Sequence, residues 1–489
     1  METKTRIGYG IHNMPPATLP ALLLLLERAL KQFISRARGW FFSGAVCFCV
    51  SVAHAGLWST GYYPGYEQGF MPASNIDFTA LTHVIHFSVI PNTDGTLDSS
   101  ANGVTLDNST DIVTRAHAAG KPVIICVGGA DSEADFEAAT TNAILPVFIN
   151  NLTNFMATRD YDGVDIDWEP LTTNDAPLFT NLVYSLRSAL NHFSGHKLLT
   201  VAAGAYPPYG DPPTNEYRMF ADLQNQFDQI NIMTYDLSGP YEGWVTWFNS
   251  PIYDGGYRFP STGGLVPSVN GAVSNFIVNG VSPSRLGIGI AFYGDVWEGG
   301  SGASTGGVTQ PRQSWADTNA PTMTDTTYAS IIASYYQTFL YHWDTNAQAA
   351  WLSITNANPN DDMFISYDDQ RTCESKVSYA RNEGLGGVMI WELSQDFQKG
   401  QPQPLLLAVK EALATPGPMT ILDFGSQIEL NFLSIPLGSY DVEWGSNLAG
   451  GAWSTLMVTN VTGTGGLVQV FAPRPQTAAQ RFYRVQTPP

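Results

Sequence analysis

The segment YDGVDIDWEP, residues 161–170, carries acids at every second position of what reads as a buried strand: Asp165, Asp167 and Glu169. Clustered carboxylates repel one another and are costly to bury, so a structural purpose alone does not explain them. Side chains alternate faces along a strand, which sends the three acids one way and Val164, Ile166 and Trp168 the other. In a parallel barrel the apolar set meets the surrounding helices. The acids then face the interior and climb toward the C-terminal rim, where barrel enzymes place their chemistry. Asp167 and Glu169 are expected to lie roughly 7 Å apart at Cα, near enough that one of them holds a proton at neutral pH. A general acid requires such a proton, because a free glutamic acid is almost wholly ionised at pH 7. The alternative for D-x-D-x-E is a calcium loop. That loop needs a turn, a central Gly and polar intervening residues, whereas Val, Ile and Trp intervene here in extended phase.

Outward from this strand, seven further apolar, β-rich runs alternate with helix-like stretches between Gly56 and Leu413: 58–63, 83–90, 122–129, 198–205, 229–236, 286–294 and 386–393. Helices are expected at 177–193 and at 373–384, the second closing on a glycine. Eight strand–helix units predict an α/β protein, a TIM (β/α)8 barrel, over 56–413. A final helix at 403–413 leads into ATPGP, a linker at 414–418. Residues 419–489 change to short strands and Gly-rich turns, a small C-terminal all-β, sandwich-like domain.

The formal net charge of −20 argues against nucleic acid and anionic membrane surfaces as partners, since both demand basic patches. A neutral partner such as a glycan suits the chain better. No Cys/His spacing of a zinc site is present among Cys47, Cys49, Cys126 and Cys373, and neither metal nor cofactor is expected. Residues 1–55 read as an N-terminal extension ending in a secretory signal: Arg36 and Arg38 precede an apolar run from Trp40 to Val52, and Ala53-His54-Ala55 supplies a cleavage site. About 13 apolar residues fall short of the roughly 20 that span a bilayer, so a secreted monomer without stable membrane insertion is expected. Only Cys126 and Cys373 then remain, and no disulfide framework holds the fold.

The segment DGVDIDWE resembles the DxxDxDxE signature of glycoside hydrolase family 18, the chitinase family, with Asp162, Asp165, Asp167 and Glu169 in its acidic positions. MTYD at 233–236, GGVMIWEL at 386–393 and STGYYPGY at 59–66 resemble its sixth, eighth and first strands. The resemblance implies retaining hydrolysis of β-1,4-linked N-acetylglucosamine polymers, chitin or its oligosaccharides, assisted by the substrate's acetamido group. It further implies that Glu169 is the proton donor and that Asp167 orients the acetamido group. Asp165 would hold Asp167's proton at rest, and Tyr235 would donate to the acetamido carbonyl. Trp391 would form the floor under the sugar, with Tyr62, Phe87, Met233 and Asp236 as further substrate-binding residues. For Tyr235 and Trp391 the competing reading is an ordinary core aromatic.

Three positions depart from that pattern. Cys126 stands where a serine is usual beside the deep aspartate, Ala130 where many relatives carry Trp, and Asp295 where many carry Arg. Little between the seventh and eighth strands resembles the family's α+β insertion, so a shallower cleft and endo-type cleavage are expected. The rival readings are a noncatalytic chitin-binding lectin, which typically lacks the terminal acid, and an endo-β-N-acetylglucosaminidase acting on N-glycan cores. In the C-terminal domain Tyr440, Trp444 and Trp453 read as sandwich core, with a chitin-binding platform as the alternative.

Overall fold

The computed structural model describes residues 56–205, 214–300, 306–315 and 317–414, and seven strands between 420 and 486. The leader expected at 1–55 and the linker beyond Ala414 lie outside the described residues. Eight parallel strands close into a barrel in chain order: Trp58–Pro64, His83–Pro91, Val123–Gly129, Gly163–Trp168, Leu198–Gly204, Gln229–Met233, Leu286–Ala291 and Gly387–Trp391. The first strand pairs with both the second and the eighth, which seals the cylinder. All eight expected runs form strands, the sixth ending at Met233 and the seventh at Ala291.

Alternation in the fourth strand works as its side-chain chemistry requires. Val164, Ile166 and Trp168 join the large core between barrel and helices, where Trp168 stacks on Phe136 at 4.7 Å between ring centroids. The helix Ala176–Leu190 meets the same layer with Phe179, Leu182, Val183, Leu186 and Leu190, a spacing of three and four residues that keeps one stripe inward. The helix Gln370–Asn382 stops before Gly384, whose φ of +66° is the left-handed position that favours glycine at a helix end. The final helix spans Pro404–Ala414.

The expected absence of an insertion between the seventh and eighth strands is overturned. The seventh-strand run splits after Ala291. Tyr293–Glu298 starts a five-stranded antiparallel sheet that also contains Thr322–Thr327, Met363–Tyr367, Ala349–Ile354 and Tyr341–Asp344, with the helix Tyr328–Ser334. Its own core packs Trp297 and Phe364 against Trp247 and Phe248. These strands are short and two carry polar residues on both faces, so they lack the long apolar run that marked the barrel strands.

A buried ion pair ties this sheet to the barrel. Lys376 is inaccessible to solvent and donates to Asp368 at 2.5 Å, to the Gly289 carbonyl at 3.3 Å and to Ser250. Asp368 follows the last strand of the inserted sheet, and Gly289 lies in the seventh barrel strand.

The C-terminal strands form two antiparallel groups. One contains Thr420–Asp423, Gln427–Leu433 and Leu467–Pro473, and the other is built around Ser439–Gly445. Tyr440 is fully buried among Ile428, Leu430, Val442 and Val470, with Trp444 packed against them, as the core reading expects. Trp453 lies outside the described residues.

Truncating one member of a buried charge pair strands the other, at a cost of about 3–5 kcal/mol. Lys376→Ala is therefore expected to lower the urea midpoint sharply, while the double substitution Lys376→Met with Asp368→Leu restores much of it. Equal midpoints for Lys376→Ala and the wild type would show the pair to be dispensable.

Candidate active site

The inward residues of the fourth strand form a column of carboxyls. At its base Asp165 lies directly beside Cys126 on the third strand and Thr200 on the fifth. It accepts hydrogen bonds from Tyr62 Oη at 2.9 Å and Thr200 Oγ1 at 2.6 Å, and from the Cys126 thiol. Burial raises its pKa to about 6, and these three donors hold it from climbing further.

One step up, Asp167 is buried and titrates well above the usual carboxyl range. Desolvation is the main cause, followed by the charges of Glu169 and Asp165. Asp167 donates to Glu169, a bond that stabilises its protonated form and lowers the pKa of Glu169 in return. Glu169 is half-buried at the rim, and its pKa is nevertheless raised, first by desolvation and further by Asp236 and Asp131. Asp167 and Glu169 thus form a hydrogen-bonded carboxyl pair, both members of which are shifted toward protonation. Asp165 instead meets three donors of its own, Tyr62, Thr200 and Cys126. Asp167 Oδ1 remains without a hydrogen-bond partner although buried.

Two glycines let neighbouring chain pass this close. A Cβ on Gly128 would meet the Asp167 carbonyl oxygen at 2.1 Å, and one on Gly129 would meet the Phe87 ring at 2.7 Å. Both residues have positive φ, +105° and +122°, so a side chain here fails on conformation as well as on space.

The barrel interior around the column is aromatic and separate from the outer core. Tyr62, Phe87, Cys126, Tyr235, Tyr293 and Met389 cluster there, with Met233 and Trp391 partly exposed against them. Phe87 and Tyr62 both present edges to Trp391, at 4.8 and 5.5 Å. The ring is propped from two sides and keeps part of its surface open to solvent. The Phe87–Ser88 and Trp391–Glu392 peptide bonds are cis. Tyr235 is buried, and its hydroxyl reaches the Met389 sulfur at 3.8 Å, a weak contact that leaves it free to donate elsewhere. Asp236 lies at the rim with a φ of +55°, held by a bond from Tyr293 Oη at 2.5 Å and by its own backbone N–H on Asn249 Oδ1 at 2.6 Å.

All nine candidate residues therefore meet at one end of the barrel interior. Thr200, Tyr293 and Asn249 belong with them and escape a reading from sequence. Thr200 left a signal, a polar residue in the inward phase of an apolar strand; Asn249 left none, since it comes from a loop. Ala130 is exposed beside Gly129 and contributes no ring to the rim.

Comparisons with known proteins follow the same line. The family model described as "Glycosyl hydrolases family 18" matches residues 59–396. Chitinase A1 of Niallia circulans is 30% identical over 298 residues, 56% of this chain and 41% of its own length, so the chain spans under half of that relative. Endochitinase 1 of Metarhizium robertsii is 25% identical over 370 residues, 69% of this chain and 79% of its own length. Among solved structures, the Group IV chitinase of Ostrinia furnacalis in complex with allosamidin superposes with a TM-score of 0.62 at 21% identity, covering 73% of this chain and 99% of the other. At that identity the superposition speaks for the fold.

Buried acids give a sign to the pH dependence of stability. Asp165 at about 6, and Glu392 and Asp396 at about 7, keep protons in the folded chain where ordinary carboxyls, at 3.8 and 4.5, have lost them. The folded state binds more protons across that window, so stability is greatest at its acid end and falls as pH rises through 6 and 7. A thermal midpoint higher at about pH 5 than at about pH 8 is expected, and a midpoint that climbs over the interval contradicts it. Cys126→Ser puts a stronger donor on Asp165 and should lower that carboxyl's pKa, measured by carbon NMR titration. An unchanged or raised value would show that the thiol does not tune it.

Proposed function

The chain belongs to glycosyl hydrolases family 18, and from that premise we propose that it hydrolyses β-1,4-linked N-acetylglucosamine polymers with retention of anomeric configuration, using the substrate's acetamido group as nucleophile. The observation that carries this reading is the buried, hydrogen-bonded carboxyl pair of Asp167 and Glu169 at the rim, over a half-exposed tryptophan floor. The chitinase names of its relatives support the substrate class.

Glu169 gives a proton to the glycosidic oxygen as the bond to the anomeric carbon breaks. The acetamido carbonyl oxygen attacks that carbon from the opposite side and closes an oxazolinium ring, so no enzyme nucleophile is needed. Asp167 leaves the shared proton on Glu169 and turns, now ionised, to accept the acetamido N–H, for which its unpartnered Oδ1 is ready, and its negative charge stabilises the developing cation. Asp165, with its own donors, can stay ionised or neutral and sets how much charge Asp167 tolerates. Tyr235 Oη donates to the acetamido carbonyl and fixes its line of attack. Trp391 stacks beneath the sugar, while Tyr62, Phe87 and Met233 shape the floor and Asp236 holds a hydroxyl. Water then opens the ring, with Glu169 as base.

Cleavage within the polymer is the mode we assign, on the endochitinase name of the Metarhizium relative. The shallow-cleft basis for it is gone, because the inserted sheet stands beside the mouth. Export with cleavage after Ala55 completes the reading, supported by the charged, apolar and small-residue order of residues 36–55.

Glu169→Gln should lower hydrolysis of N-acetylglucosamine oligomers about 10²–10⁴-fold and leave binding within a few-fold. Retained turnover would mean that the acid is another residue. Fully deacetylated chitosan should not be cut, because its units lack the attacking carbonyl. Equal cleavage of chitosan and chitin oligomers would refute the acetamido route. The same digests, followed over time, should yield intermediate-length products before dimers.

A further inference from the structure

Beyond Asp236 the acidic character of the site continues into the inserted sheet. Tyr293, whose hydroxyl donates to Asp236 at 2.5 Å, is the first residue of the strand Tyr293–Glu298. Asp295 is the next residue on the same face of that strand. Directly opposite it, across the antiparallel pair, stands Asp325. Asp236 and Asp325 are exposed, whereas Asp295 between them is fully buried. Neither carboxyl oxygen of Asp295 has a hydrogen-bond partner. The charges of Asp236 and Asp325 both act on it. The ion pairs of the described residues include none of the three.

An acid buried without a single donor, between two exposed acids, is costly to maintain and is relieved by positive charge brought to that surface. The arrangement does not suit a metal ion. The group of three acids whose ligand atoms converge within 4.8 Å among the described residues is a different one, Glu133, Glu137 and Asp175. Spread carboxyls suit an organic cation carried on a larger molecule. The position indicates which one. Asp236 is close enough to Glu169 to raise its pKa, and the Tyr293 ring lies 6.0 Å from that of Tyr235, so the three acids border the reacting site. The cationic form of the same polymer carries a free 2-amino group on each deacetylated unit, protonated near neutral pH.

We propose that Asp236 and Asp325, backed by Asp295, form a subsite for the ammonium group of a glucosamine unit adjacent to the N-acetylated unit at which the chain is cut. This rests on the preceding functional reading and narrows it: the substrate class is partly deacetylated chitin. The reacting unit still needs its acetyl group, while its neighbour is preferred without one.

The test compares a fully acetylated hexamer with chitosan acetylated on about half its units, using the intact enzyme and the variants Asp325→Asn and Asp295→Asn. Mass-spectrometric sequencing of the chitosan products should show glucosamine enriched next to the cleaved unit. Asp325→Asn should raise KM on the mixed polymer about threefold to fivefold, as expected for a partly exposed ion pair, Asp295→Asn by less, and both should leave the acetylated hexamer nearly unaffected. Added salt should narrow the preference in the wild type and have little effect in Asp325→Asn. Random glucosamine at that position, or a preference that survives both substitutions, overturns the subsite while hydrolysis of the hexamer keeps the functional reading. A wild type that leaves the hexamer intact overturns both. Asp325 is exposed, so its variant tests the proposal even if Asp295→Asn does not fold.

Discussion

Removal of carboxyls from water governs this structure. Three acids in alternate positions of one strand are forced by the barrel's own geometry into its interior, and desolvation there shifts each of them toward protonation. The surroundings sort the acids by depth. Three donors hold Asp165 near 6, Asp167 keeps a proton, and Glu169 at the rim receives the hydrogen bond that Asp167 provides. The aromatic lining enforces the same condition, since Tyr62, Phe87 and Tyr235 exclude water and bring few charges of their own. An acid and its partner thus emerge from burial and spacing.

Much of this was legible in the chain because a barrel converts sequence phase directly into position. Once GVDIDW is a parallel strand, period two decides that Asp165 and Asp167 look inward and Trp168 outward, and the structure agrees. The eight barrel strands were visible for the same reason, each being a compact apolar run buried on both faces. Thr200 and Asn249 were not read because their meaning depends on which strand or loop lies next door. The partner of Asp165 is a matter of register between the fourth and fifth strands, and single-strand patterning says nothing about register. The donors that surround each acid, Thr200 on Asp165 among them, depend on the same register.

The inserted sheet is the main structural feature that patterning missed. Its strands are short and polar on exposed faces, and FYG at 292–294 reads as the end of a barrel strand although the chain changes sheets there. The consequence for the site is direct. Tyr293 belongs to the sheet by its backbone and to the barrel mouth by its ring, so the two units share one residue at the rim. The departure at Asp295 gains its significance from the same place, because the strand that supplies Tyr293 also supplies that unpartnered acid.

Lys376 gives this union its mechanical character. A cation anchored at once on the seventh strand's backbone, on the residue following the inserted sheet and on a serine from the connection between the sixth and seventh strands acts as a rivet through both bodies. A rivet at this point opposes hinging of the sheet against the barrel, since any such motion would strip a buried charge of its partners. The acids along that side, Asp295 and Asp325, are thereby carried on a sheet fixed to the barrel.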